Sequence, residues 1–436
     1  MNFAGKHIAI LGAGRSGRAA ARLALREGAR VSVWDLAGAE VFADMAAGVE
    51  IHPNATEVIG GSVVSDVLVL SPGIDTYGSY VAAFSLNAGE VIGEVELASR
   101  FYQGAIIGIT GTNGKTTTTE LVARILAHAG LGGTPCGNYG MPFSEVVLQA
   151  TMPAAVALEL SSFQLETLSS LHPAVAVWLN FAPDHMDRYG SVHAYRAAKL
   201  RIFSNQSADD TAVIRSGEDL PALAARIVTF STTYVQADWF SNGHFIRHAG
   251  QSWLDMDHDT SLRGLHNAEN LMAALAACQT LGISAASMRE ALQGYAPPPH
   301  RCELIRTLDG VEYLNDSKAT NLHALESALR SQTRPVVLIA GGKEKGLDYA
   351  PLVPLLREKA LATVTFGQIA RPLAALFSEA VASASVATLA DAVVAARSLA
   401  PPGSSILLSP GTSSFDQFSG YEQRGNAFRD LVHQLR

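Results

Sequence analysis

Three times along this chain an apolar run of strand length passes through a glycine-rich turn into a helical pattern. That succession constrains the fold more than any other feature. His7–Leu11 runs into Gly12-Ala13-Gly14-Arg15-Ser16-Gly17 and then an Ala- and Leu-rich stretch to about Arg26. Ala105–Ile109 runs into Thr110-Gly111-Thr112-Asn113-Gly114-Lys115-Thr116-Thr117 and then a helical pattern over Thr118–Ala129. Val336–Ala340 runs into Gly341-Gly342-Lys343-Glu344-Lys345-Gly346. A strand followed by a helix returns to its sheet in parallel, so the chain reads as α/β, built on open parallel sheets. Further strands are read at Arg30–Trp34, Asp66–Leu70, Ala154–Leu158, Ala174–Leu179 and Ile406–Leu408. Ligands bind such sheets at the carboxyl ends of their strands. Those ends carry Asp35, Ser71-Pro72-Gly73, Glu159-Leu160-Ser161, Asn180 with Asp184 and His185, and Ser409 through Ser414.

The loop 110–117 is the most specific of these. Its glycines allow a tight turn around an anion, and the free N–H groups at a helix start point at that anion. Lys115 is placed to reach the outer phosphates of a nucleotide, and the Thr116 hydroxyl to hold Mg²⁺. The usual G-x-x-x-x-G-K-[ST] spacing would put glycine at 109, where Ile109 stands. An ordinary strand–turn–helix with a chance lysine is the alternative. Glu159, at a strand end, can complete a magnesium shell or be a plain capping carboxylate. His185, alone among acidic neighbours, reads as structural on its own. Lys199, in Tyr195-Arg-Ala-Ala-Lys199-Leu-Arg, reads as one charge on a solvated helix face.

The length of 436 residues suits two to four domains, and 48% hydrophobic residues can fill their cores. Three consecutive prolines, Pro297-Pro298-Pro299, cannot continue a helix and mark a boundary. The expected domains are 1–93, 94–298 and 299–436: N-terminal Rossmann-like, a central P-loop ATPase-type parallel sheet, and C-terminal Rossmann-like. From about Asp209 to Gly264 helix signals are poor, and short antiparallel strands are expected. The net charge of −8, without a dense basic run, argues against a nucleic-acid partner. Cys136, Cys278 and Cys302 form no C-x-x-C pair, so a disulfide framework or structural zinc is not expected, and reduced thiols fit a cytoplasmic setting. No signal-peptide pattern or membrane-spanning run is read.

Taken in order, T-G-T-N-G-K-T-T (110–117), E-L-S-S-F-Q-L-E (159–166), D-H-M-D-R-Y (184–189), Y-R-A-A-K-L-R-I (195–202), H-N-A-E-N (266–270), H-R (300–301), N-D-S-K-A-T-N (315–321) and D-Q-F…E-Q-R-G (416–425) resemble the Mur ligases across essentially the whole chain. E-L-S-S-F-Q-L-E, N-D-S-K-A-T-N and S-x-D-Q-F are similar to the member that adds D-glutamate to UDP-N-acetylmuramoyl-L-alanine with ATP. The resemblance implies a monomer of three domains binding the UDP substrate, ATP and the incoming amino acid. It implies that Gly111 through Thr117, with Asn270, Arg301 and Asp316, hold ATP. It also implies two Mg²⁺ ions held by Thr116, Glu159, His185 and a carbamylated Lys199. Lys115, Glu159, His185 and Lys199 are then the catalytic set. Asn138 and Gln164, with Ser161 beside them, match positions that touch the muramoyl substrate. Arg15, Ser16, Asp35 and Gly73 fall at the UDP end. Lys318, Thr320, Lys345, Ser414 and Tyr421 match positions around the D-glutamate carboxylates. Two departures stand out. Relatives often carry Thr and Arg after the residue matching Asp35, where this chain has Leu36 and Ala37, so Arg15 or backbone N–H groups are expected to hold the diphosphate. Tyr421 stands where phenylalanine is common.

Two other readings fit parts of the pattern. G-x-G-x-x-G with Asp35 after the next strand suits a nicotinamide-dependent oxidoreductase, but leaves the loop 110–117 without a purpose. A related ATP-dependent ligase with different amino-acid specificity keeps the loop, and its distinction rests on the N-terminal domain and the D-glutamate positions.

Overall fold

A computed structural model describes residues 3–186, 188–260, 262, 264–295 and 299–436. Its strands form three sheets. The first holds β1 (His7–Leu11), β2 (Arg30–Trp34), β3 (Val49–His52), β4 (Val67–Leu70) and β5 (Val91–Gly93) in the order β3-β2-β1-β4-β5, all parallel. The second holds β6 (Ala105–Thr110), β7 (Gly132–Gly137), β8 (Ala155–Glu159), β9 (Val175–Trp178), β10 (Thr211–Arg215), β11 (Arg226–Ser231), β12 (Trp239–Ser241), β13 (Phe245–His248) and β14 (Gln251–Asp255). Its order is β14-β13-β12-β11-β10-β9-β6-β8-β7. The third holds β15 (Glu303–Leu308), β16 (Val311–Asn315), β17 (Val336–Gly341), β18 (Ala360–Phe366), β19 (Ala382–Ser385) and β20 (Ser405–Leu408), ordered β15-β16-β20-β17-β18-β19. The central strands β4, β8, β9, β17 and β20 are buried along their whole length. Helices cover both faces of a parallel sheet, so its strands read as unbroken apolar runs and not as alternation. That is why those strands stand out in the sequence.

The strands read from sequence lie within a residue or so of those observed. Helix Lys115–His128 begins three residues before the expected Thr118, so Lys115 and Thr116 sit in its first turn. The 209–264 region departs from expectation. β10 pairs in parallel with both β9 and β11, and β11 in parallel with β12; only β12-β13 and β13-β14 are antiparallel. The connection from β10 to β11 carries no helix, and a parallel crossover without one resembles a hairpin loop in sequence.

The chain divides into two compact units, Met1–Ser261 with Asn267–Tyr295 and Leu262–His266 with Ala296–Arg436. The first and second sheets thus belong to one unit and share a core in which Ile8, Ile10 and Val31 join Phe143, Leu158 and Trp178. Pro297 and Pro298 lie outside the described residues. Among the described residues no helix is long and apolar enough to cross a membrane.

Candidate active site around the phosphate loop

Gly114 caps helix Lys115–His128 in a left-handed conformation, φ 86°. A Cβ there would lie 2.1 Å from Asn270 Oδ1. Glycine therefore lets the loop close on helix Leu265–Thr280, and Asn270, 6% exposed, is packed against the loop. On the other side Asn180, just past β9, grips the loop's apex. Its Oδ1 accepts from the Asn113 N–H at 2.9 Å and its Nδ2 donates to the Asn113 carbonyl at 3.1 Å. Thr112 Oγ1 accepts from the Ala182 N–H and donates to the Ala182 carbonyl, both at 3.0 Å. Thr112 and Asn113 are thereby committed to the loop's shape. The role of Asn180 was not read from sequence; its signal was a lone amide at a strand end.

Two lysines converge on one carbonyl. Lys115 Nζ donates to the Gly111 and Thr112 carbonyls at 2.9 Å each, and Lys199 Nζ donates to the same Gly111 carbonyl at 2.9 Å. Lys199 lies on helix Val192–Leu200 and is 1% exposed, not the solvated charge its sequence suggested. Burial, and then the charge of Lys115, hold its amine well below the usual lysine range; Asp184 and Glu159 oppose the shift. Tyr195, one helical turn earlier, is buried beside it, with its ring 4.9 Å from Lys199 Nζ.

Glu159 ends β8 and is buried. Its Oε1 accepts from Asn138 Nδ2 at 2.7 Å, while its buried Oε2 has no hydrogen-bond partner among the described residues. A buried carboxylate oxygen without a donor is costly unless a cation compensates it. Thr116 is half-buried and Thr117 buried in the same first turn. His185 has a left-handed backbone, φ 56°, and its half-exposed ring lies against Phe163 and Tyr195. Among the described residues no group of three or more His, Cys, Asp or Glu side chains is gathered around one point.

In the first sheet, Asp35 is occupied by its own fold. Its Oδ2 accepts the Ala13 N–H at 2.7 Å and its Oδ1 the Ala37 N–H at 2.9 Å. Arg15 is exposed and donates to the Gly140 carbonyl at 2.9 Å. Ser16 is half-buried beside it, and Gly73 is exposed, with open space where a side chain would be. Ser161 and Gln164 form a reciprocal cap on the short helix Ser162–Leu165.

The second unit gathers the remaining candidates around a residue whose role the sequence did not reveal. Arg424 is fully buried. It donates to the Thr412 carbonyl, the Ser317 carbonyl and Ser317 Oγ at 2.8–3.2 Å. Ser317 Oγ in turn donates to the Tyr421 carbonyl at 2.8 Å. Desolvation lowers the Arg424 pKa to about 10. Two loops are thereby tied to one cation and, through Ser317, to the start of its own helix at Tyr421; they carry Lys318, Thr320 and Ser414. Lys318 Nζ lies 3.8 Å over the Tyr421 ring, Thr320 is half-buried, Ser414 is buried and Lys345 is exposed. The signal for Arg424 was its spacing from Phe428, one turn on along the same buried face of helix Tyr421–Gln434. Asp316 is buried, accepting from the Cys302 N–H at 3.2 Å and Ser409 Oγ at 2.9 Å. Desolvation raises its pKa to about 7 against the pull of those bonds and of nearby Arg301.

A phosphate loop with clustered lysines, on an α/β chain with a separate C-terminal unit, defines a nucleotide-dependent enzyme class. Residues 109–278 match the Mur ligase middle domain, and residues 300–411 the Mur ligase glutamate ligase domain. The chain belongs to the Mur ligase family. It is 40% identical over 452 aligned positions to the UDP-N-acetylmuramoylalanine–D-glutamate ligase of Geobacter metallireducens, covering 100% of this chain and 99% of that one. It is likewise 40% identical to the enzyme of that name from Myxococcus xanthus, covering 99% of each. In fold it is similar to a pseudomurein peptide ligase type C from Methanothermus fervidus (TM-score 0.60, 17% identity, 99% of this chain and 100% of that one). It is similar too to the UDP-N-acetylmuramate-alanine ligase of Thermotoga maritima (TM-score 0.59, 17% identity, 98% and 99%).

Proposed function

We propose that this chain is an ATP-dependent ligase that joins D-glutamate to UDP-N-acetylmuramoyl-L-alanine in cell-wall peptidoglycan synthesis. The observation that carries it is the end-to-end identity with ligases of that name, over a phosphate loop whose expected side chains are all present. A carboxylate is a poor acyl donor because its leaving group would be oxide. Transfer of the ATP γ-phosphoryl to the alanyl carboxylate makes an acyl phosphate, which the neutral amine of D-glutamate attacks, expelling phosphate. Every oxygen group brought together in the first step is negative, so the site must supply positive charge. Lys115 is the chain's own contribution, and Asn180 holds the loop that carries it. Holding the reactants in register contributes a large share of the acceleration.

The buried Glu159 Oε2, which has no partner among the described residues, suits a magnesium ligand. Thr116, Glu159, His185 and a carbamylated Lys199 would hold two Mg²⁺ ions, which when bound neutralise developing charge on the phosphates. The carbamylation of Lys199 is supported by its chemistry. A neutral amine nitrogen attacks the carbon of CO₂ and loses a proton to solvent, giving a carbamate. Burial and Lys115 both favour the neutral amine. The modification would replace a second cation beside Lys115 with an anion. Arg15, Ser16, Asp35, Gly73, Asn138, Ser161 and Gln164 are assigned to the UDP substrate, Asp35 by holding its turn. Asn270, Arg301 and Asp316 are assigned to the nucleotide. Lys318, Thr320, Lys345, Ser414 and Tyr421 are assigned to the D-glutamate carboxylates. The enzyme works as a cytoplasmic monomer of three domains, 1–93, 94–298 and 299–436.

An isotope experiment tests the acyl-phosphate route. Substrate labelled with ¹⁸O in the alanyl carboxylate should deliver one label to the released phosphate. Release of unlabelled phosphate would refute the route. Intact-mass measurement at neutral pH should show an added CO₂ that disappears in Lys199→Met.

A further inference from the structure

Where the carboxyl end of the first sheet meets helix Ser162–Leu165 there is a narrow cavity, lined among others by Leu70, Ser71, Ile74, Phe163, Gln164 and Glu94. It has room for about one water-sized group. Its polar interest lies in two side chains. Gln164 is 4% exposed and Glu94 1% exposed. The Gln164 amide is fixed end for end, because its Oε1 accepts from both the N–H and the hydroxyl of Ser161, each at 3.0 Å. Nε2 is left as a buried donor with no protein acceptor among the described residues. Glu94 is held in the same way. Its Oε1 accepts the Ser144 N–H at 2.6 Å, and its buried Oε2 has no partner among the described residues.

No described cation pairs with Glu94, and burial pushes its carboxyl above the ordinary range, against the backbone N–H and hydroxyl of Ser144, which pull it down. In the protonated form the proton sits on Oε2, since Oε1 already receives the Ser144 N–H. The cavity is then furnished with two neutral donors, in walls that also carry Ser71, Thr76 and Thr167. Buried donors are rarely left unpaired, and two lining one cavity call for an acceptor. A cation finds no acceptor on Nε2, and an anion would oppose any charge on Glu94. Phe163, one wall, is stacked on by Arg188 at 4.0 Å, and Arg188 also donates to the carbonyl of Ile74, another wall, at 3.2 Å.

We propose that this cavity is a subsite for one uncharged carbonyl oxygen of the acyl-donor substrate, held jointly by Gln164 Nε2 and the Glu94 carboxyl. The proposal rests on the ligase reading, in which that substrate carries two amides: the acetamido group of its sugar and the amide joining lactyl and alanyl groups. Glu94 is thereby a specificity-determining residue, and Gln164 gains a defined partner atom.

The test is steady-state kinetics of the full chain with Glu94→Met, Glu94→Gln and Gln164→Met. The two methionine variants should each raise KM for UDP-N-acetylmuramoyl-L-alanine about tenfold, with KM for ATP within about twofold of wild type. Glu94→Gln, which keeps a neutral donor, should stay within about threefold. Two analogues identify the carbonyl: one with a free amine in place of the acetamido group, one with the lactyl carbonyl reduced to methylene. The analogue lacking the bound oxygen should bind wild type and Glu94→Met equally. Unchanged KM in both methionine variants would overturn the subsite and leave the cavity to a bound water. Loss in Glu94→Gln as large as in Glu94→Met would overturn the neutral-donor role. If Glu94→Met does not fold, Gln164→Met with the two analogues decides. Failure of wild type to turn over this substrate would instead sink the ligase reading itself.

Discussion

The glycine turns that open the first and second sheets look alike in sequence and are used in opposite ways. In the first, Gly12 N–H donates to the Trp34 carbonyl at 2.8 Å and Ala13 N–H to Asp35 at 2.7 Å. A Cβ on Gly17 would lie 1.8 Å from the Gly12 carbonyl oxygen. That turn is closed by the protein's own carboxylate, so the Asp35 that suggested a nicotinamide ribose is already spent on the turn. In the second, the carbonyl of Gly111 receives two lysines. A glycine pattern thus marks a strand-to-helix corner; the charges brought to it decide what it binds.

The comparison breaks most readily at Lys115. Lys115→Met should lower kcat by a factor on the order of 10³ or more while the fold is kept, measured by ADP release and circular dichroism. Lys199→Met should lower kcat by about 10²-fold. It should also leave stability close to that of the uncarbamylated protein, because a buried amine that donates to the Gly111 carbonyl is replaced by an apolar chain of similar shape. A clear drop in the denaturation midpoint would contradict that reading of the burial.

The third glycine turn adds an inverse case, a cation used for architecture. A Cβ on Gly342 would lie 3.2 Å from Arg424 Nη1, so the turn rests on the buried guanidinium. Arg424→Met should raise KM for D-glutamate by about tenfold or more and cost about 2–4 kcal/mol of stability, from backbone carbonyls left without a donor. KM for the UDP substrate should change little, which separates loop positioning from general unfolding. Asp316 makes a smaller, pH-dependent contribution. Its pKa is raised from the ordinary 3.8 to about 7. The stability it contributes is therefore fully present below about pH 4 and lost as pH rises through about 7. Urea midpoints at pH 5 and pH 8 should differ in that direction, and Asp316→Asn should flatten the difference. The smallest effect falls on the first turn: Asp35→Asn should cost about 1 kcal/mol and leave KM for ATP unchanged.

Most of the fold was legible because parallel strands buried on both faces are unbroken apolar runs, and β1, β2 and β17 start at the residues read from sequence. The β10–β12 region was not, because its crossovers lack the helices that announce parallel pairing. Within the site the phosphate loop was legible from Gly114-Lys115-Thr116 between a strand and a helix, despite Ile109 where the usual spacing puts glycine. Lys199 was legible only through the family resemblance, and its burial, like that of Arg424 and Glu94, was not, because a buried charged or titratable group breaks the hydrophobic pattern that signals burial. For the two basic residues a trace remained: Tyr195 and Lys199, and Arg424 and Phe428, share a buried face one helical turn apart.

The central claim is the identity of the reaction. ADP release should be followed with ATP, Mg²⁺ and UDP-N-acetylmuramoyl-L-alanine, offering D-glutamate, L-glutamate, D-alanine and meso-diaminopimelate in turn. Turnover with D-glutamate alone is the predicted result. Turnover with another amino acid in preference, or with none of the four, would contradict the assignment.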